Sequence, residues 1–110
     1  MQALFAQVTI PSVQSLRFLN QHIIPFKSIY KETLAGGFSG IDYDANKHQY
    51  FIISDDRSNL QAARFYTANI LLTDTGVVDF AITAVHFLTN EKGKKFQKNE
   101  TDPENLRFLP

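Results

Sequence analysis

From Gly36 onward the chain alternates short apolar runs with polar breaks in which Gly, Asp and Asn collect. Phe38 to Asp44 reads as a strand, with Ile41 and Tyr43 on one face and Asp42 and Asp44 on the other. Asp44-Ala45-Asn46-Lys47-His48 then reads as a hairpin connection, because Asp and Asn side chains bond to the backbone of a turn. Tyr50 to Ile53 is apolar on both faces, the pattern of a strand covered on two sides. After the polar turn Asp55-Asp56-Arg57-Ser58-Asn59, a further strand is predicted over Ala63 to Leu72. It places Phe65 and Thr67 on one face and Tyr66, Ala68 and Ile70 on the other. Thr73-Asp74-Thr75-Gly76 turns the chain, Val77 to Leu88 forms a long strand, and Asn90 to Lys94 turns again with Gly93 in the left-handed position.

Upstream the signals are weaker. Ser15 to Ile24 reads as a strand or an extended lead-in closed by Pro25, and Lys27 to Leu34 as a loop or edge strand. Gly36-Gly37 permits a tight approach with unusual dihedrals. No apolar series at i, i+3, i+4 is sustained anywhere, so helix is almost unsupported. The fold class predicted is all-β, with antiparallel strands over 38–44, 50–55, 63–72 and 77–88.

Composition narrows the function classes. With 110 residues and 44% hydrophobic content the chain fits one small domain. A formal net charge of zero gives no global pull toward nucleic acid or a membrane surface. The absence of cysteine removes disulfides, thiolate metal sites and Cys nucleophiles together. No apolar run approaches the roughly 20 residues that span a bilayer. Met1 to Gln7 can be read as the tail of an export signal, as a plain start of the chain or as a first strand.

Gly40-Ile41-Asp42-Tyr43 is echoed by Asn105-Leu106-Arg107-Phe108, both reading small, apolar, charged, aromatic. The echo suggests that a second unit opens at Asp102-Pro103-Glu104. These motifs carry a resemblance. Gly36-Gly37-Phe38-Ser39-Gly40-Ile41-Asp42-Tyr43-Asp44, Ser54-Asp55-Asp56-Arg57-Ser58, Ala63-Arg64-Phe65-Tyr66-Thr67 and Asp102-Pro103-Glu104 resemble, in order, the bacterial family labelled "esterase-like activity of phytase". The resemblance runs from about Leu16 to the end. It implies that residues 1–15 are an extension or signal remnant and that 16–110 are the N-terminal part of a longer β-propeller-like domain, its first blade or blades. It further implies export to the periplasm or beyond, hydrolysis of phosphoesters or esters, and a divalent cation such as calcium. The implied partners are a small anionic or ester substrate and the remainder of the propeller, with neither nucleic acid nor membrane insertion. The sequence departs from the family pattern at Phe38, where leucine is commoner, and at His48 and Asn105, where glycine is usual. The last two changes raise the backbone cost of a left-handed conformation.

Two adjacent carboxylates at a strand end repel and need a cation, an arginine or open water to offset them. Asp55, Asp56 and Glu104, with Asp102 near by, offer hard oxygens suited to Ca²⁺, which takes roughly 6–8 of them. In a propeller such loops gather at one rim, where ligands bind. Arg57 can hold a phosphate or carboxylate in a bidentate fork. The plainer reading is that Asp55 and Asp56 cap a turn and Arg57 neutralises them within the loop, leaving a non-catalytic binding or scaffold domain. On the cation-site reading, relief of carboxylate repulsion predicts that Asp56→Asn and Glu104→Gln, without metal, barely lower stability or raise it. Asp42 and Asp44 read as a solvated strand face. His22, His48 and His86 lack metal-ligand spacing, and Ser39 lacks the Gly-x-Ser-x-Gly setting of a nucleophile. Lys92, Lys94, Lys95 and Lys98 read as a solvated hairpin tip.

Overall fold

The computed structural model describes residues 11–109, so the readings of residues 1–7 lie outside the described residues. Among the described residues there are six strands and no helix: β1 (Ile29–Tyr30), β2 (Thr33–Leu34), β3 (Phe38–Asp44), β4 (Gln49–Ser54), β5 (Arg64–Thr73) and β6 (Gly76–Phe87). β1 and β2 pair as a small antiparallel hairpin, which settles Lys27 to Leu34 as a short two-stranded piece. The other four form an antiparallel sheet in the order β3-β4-β5-β6. A four-stranded antiparallel meander is the unit from which propeller blades are built, and the all-β fold is consistent with part of such a domain.

Cross-strand register sets the two faces. Ile41, Ile52, Tyr66 and Val85 stand in one row, and Asp42, Phe51, Thr67 and Ala84 in the next, which points the other way. The first face receives the N-terminal segment. Tyr66, fully buried, takes Tyr30 and Phe38 edge-on at centroid distances of 6.3 and 5.6 Å. Asn20 brackets Val77 with two hydrogen bonds of 2.8 Å, and His22 stacks on Phe80 at 5.0 Å. Side chains, with no ladder, hold this stretch, so Ser15 to Ile24 is an extended lead-in and not a strand.

The second face receives the C-terminal segment. Phe108 stacks on Phe51 at 5.5 Å, and its N–H donates to Asp42 Oδ2 at 2.7 Å. A Cβ at Gly40 would lie 2.4 Å from Asn105 Oδ1 and 3.0 Å from its Cα, so only glycine lets the segment come this close. The echo 105–108 therefore lies against its own counterpart in β3. Between these coverings Ile52 and Ile53 are both buried, as expected of a strand apolar on two faces. Burial of each stabilises by about 1.5–3 kcal/mol.

Two expectations are corrected. The face carrying Asp42 and Asp44 is not solvated. Asp44 is 1% exposed, whereas Ile41 and Tyr43 are 53% and 41% exposed. The Asp44 carboxylate accepts the N–H groups of Asn46 and Lys47, at 2.9 and 3.3 Å, so the turn it caps supplies the donors its burial requires. Asn105 does not adopt a left-handed backbone, whereas His48 does, with φ of 50°. The Tyr43 hydroxyl and His48 Nδ1 lie 3.1 Å apart.

Candidate functional site

The loop joining β4 to β5, residues 55–63, carries the acidic pair. It is anchored at its start to the glycine approach: Ser54 Oγ donates to Gly36 O and the Asp55 N–H to Gly37 O, each at 2.8 Å. Gly37 has φ of 60°, and a Cβ there would meet Asp55 Oδ1 at 2.2 Å. Glycine is thus required both by the backbone conformation and by the space the carboxylate fills.

Asp55 and Asp56 then part. Asp55 is exposed, and among the described residues its carboxylate has no hydrogen bond. Asp56 turns inward and the loop wraps around it. Its oxygens accept the N–H groups of Asn59 at 2.7 Å, Gln61 at 3.1 Å and Leu60 at 3.3 Å, and Arg64 Nη1 donates to Oδ2 at 2.9 Å. Burial pushes the Asp56 carboxyl up, but the Arg64 hydrogen bond and the three backbone donors outweigh it and hold the group below the ordinary carboxylate value.

Arg64 is 1% exposed and fully partnered. Nε donates to the Tyr66 hydroxyl and Nη2 to Leu34 O, both at 2.8 Å, while Nη1 also reaches Gln61 O and Ala62 O. Arg57 points the other way. Its Nε lies 3.5 Å from Asp102 Oδ1, both side chains being about half exposed, and its carbonyl accepts the Asn99 N–H at 2.8 Å. The plainer sequence reading is therefore corrected in its cation: Arg64, not Arg57, offsets Asp56. The physical reason is that a buried carboxylate needs a buried counter-charge, and Arg57 is on the solvent side.

The structure does bring the 55–58 loop and the 99–102 segment together, through Arg57, Asp102 and Asn99. Asp55, Asp56, Arg57, Asn59, Leu60 and Asn99 line an open depression there. Glu104 is exposed, just after the buried Pro103. Among the described residues no three His, Asp or Glu side chains form a group able to hold a metal ion. The Asp56 oxygens are engaged by the loop N–H groups and Arg64, whereas Asp55 and Glu104 present exposed carboxylates. His22, His48 and His86 are exposed and separate. Ser39 stands where the β3–β4 register shifts, and its hydroxyl makes no hydrogen bond among the described residues.

Sequence reasoning passed over Arg64. The signal was present: with period two, Arg64 shares a face with Tyr66 and Ala68, and a charge in line with interior residues must find a buried partner.

The family model described as phytase-like, esterase-like activity of phytase, matches residues 33–110, a span that takes in the whole sheet, the acidic loop and the segment over the second face. No curated protein and no solved structure matches.

Proposed function

The chain belongs to the phytase-like family, described by an esterase-like activity of phytase, and from that premise we propose that its acidic loop forms part of an anionic-ester site. At the family level it is a phytase- or esterase-like hydrolase, and the family suggests an anionic substrate. In the proposed site Arg57 binds the phosphate or carboxylate of a phosphoester or related ester. One observation carries this reading: of the two arginines flanking Asp56, Arg64 is spent on buried partners, while Arg57 stands half exposed at the mouth of the depression. Its contact with Asp102, at 3.5 Å, is a surface ion pair worth about 0–1 kcal/mol, weak enough for an anion to displace. A phosphate would replace it with a bidentate, charge-assisted contact.

A divalent cation such as calcium belongs to the same proposal in reduced form. Asp55 and Glu104 keep exposed carboxylates, and further ligands would have to come from other residues. Asp56 has a structural role here, an observation that favours the alternative of a non-catalytic scaffold for this part of the loop.

The test is hydrolysis of a phosphate monoester and of a neutral ester by the intact protein and its Arg57→Ala variant. Losing one charge-assisted contact raises KM for the anionic substrate about tenfold or more and leaves KM for the neutral ester unchanged. Equal kinetics of variant and parent on the phosphate ester would end this reading.

A further inference from the structure

We propose that Arg64, which does not itself line the solvent-facing depression but holds Asp56 from behind, is the positioning residue that presents Arg57 to an anion. This rests on the reading of Arg57 as the anion-binding group. An exposed arginine on a nine-residue loop between β4 and β5 ordinarily samples many arrangements, and ordering it on binding costs affinity. Here the loop is closed around a charge. Asp56, one residue before Arg57, collects the N–H groups of Asn59, Leu60 and Gln61, and Arg64 ties that carboxylate to the carbonyls of Gln61 and Ala62. Both ends of the loop are thus gathered on one guanidinium. Ser58, at φ of 63°, is held in turn by its Oγ, which accepts the Ala63 N–H at 2.8 Å.

Arg64 is itself held from behind, because its Nε and Nη2 donate to Tyr66 and Leu34 and it is almost wholly buried. The Arg57 backbone is consequently pinned on one side by Asp56 and Ser58 and on the other by the Asn99 N–H. Only its side chain stays free, directed toward Asp102. A fork held in place before the ligand arrives loses less freedom on binding, and small misplacements of such a group carry large penalties. A lysine at 64 would keep the charge but could not serve Asp56, Tyr66 and Leu34 together.

The experiment is titration of the intact protein with inorganic phosphate, with affinity from calorimetry and the Arg57 Nε–H resonance followed by NMR. The parent, Arg57→Ala, Asp56→Asn and Arg64→Lys are compared. Asp56→Asn and Arg64→Lys are expected to keep the amide spectrum of β3 to β6, weaken phosphate binding about tenfold, and broaden the Arg57 resonance before phosphate is added. Arg57→Ala separates the two claims. If it binds phosphate like the parent, the anion-site reading falls and this inference with it. If it loses binding while Asp56→Asn and Arg64→Lys bind normally, the reading stands and the positioning role is overturned. Where only one of the two positioning variants folds, that one decides. Unfolding of both would show that the pair holds the sheet as a whole, which also overturns a role specific to Arg57.

Discussion

Arg64 and Asp56 meet at 2.9 Å with side chains only 1% and 8% exposed, while the intervening Arg57 keeps half its side chain in water. A buried pair of this kind is costly to desolvate and costlier to break, since removing one member strands the other. Its partners span the loop, β5 and the β1–β2 hairpin, so the pair joins three parts of the chain that the sheet ladder does not connect.

Removing the cation should therefore cost more than removing any surface charge. Arg64→Met is expected to lower unfolding free energy by roughly 3–5 kcal/mol, read as the urea midpoint of the intact protein. Asp56→Asn keeps an acceptor oxygen but loses the charge, and should cost about 1–3 kcal/mol. Its direction reverses the expectation from carboxylate repulsion, because Asp55 and Asp56 face different surroundings. An unchanged midpoint in both variants would refute the structural role of the pair.

The same pair gives a pH dependence with a definite sign. The folded-state Asp56 carboxyl lies below the ordinary value of 3.8. Its stabilising contribution is complete above that value and is lost as pH falls below it, through the lowered folded-state value. Acid unfolding of the parent should thus steepen below about pH 4, and Asp56→Asn should flatten that limb. Parallel acid limbs would count against the assignment.

Tyr66→Phe tests the network without touching a charge. The hydroxyl accepts from Arg64 Nε at 2.8 Å and lies 2.8 and 3.0 Å from Thr33 Oγ1 and Leu34 O. Deleting it leaves a buried guanidinium donor unpaired, at a cost of about 1–3 kcal/mol. Hydrogen exchange should quicken first at the β1–β2 hairpin, which this hydroxyl ties to the sheet.

The C-terminal segment should be separable from the sheet. Gly40→Ala drives a Cβ into Asn105, and the displaced segment should free the Phe108 amide for exchange, at a cost of about 1–3 kcal/mol from overpacking. Low pH should act on the same contact. The Phe108 N–H, then the Tyr43 N–H, hold Asp42 below 3.8 against its partial burial, with Arg107 assisting. Protection of Phe108 should therefore persist above that value and fade below it, and Asp42→Asn should weaken it at neutral pH.

The sequence by itself determined what depends on neighbours along the chain. Alternation and turn chemistry place β3 to β6 within a residue of the predicted strands and put Phe65 opposite in direction to Tyr66. Backbone geometry of period two and the hydrogen-bonding habits of Asp, Asn and Gly are local, so they can be read locally. Tertiary structure decided which face each strand buries. Alternation puts Asp42 and Asp44 together, but only the arrival of Phe108 and the Asn46 turn makes theirs the covered side. It likewise decided the partner of Asp56. Arg57 is adjacent in sequence yet points to solvent, whereas Arg64, 8 positions on, reaches the carboxylate from inside. Burial and charge pairing depend on which distant segments come to lie against a strand, and nearness along the chain does not set that.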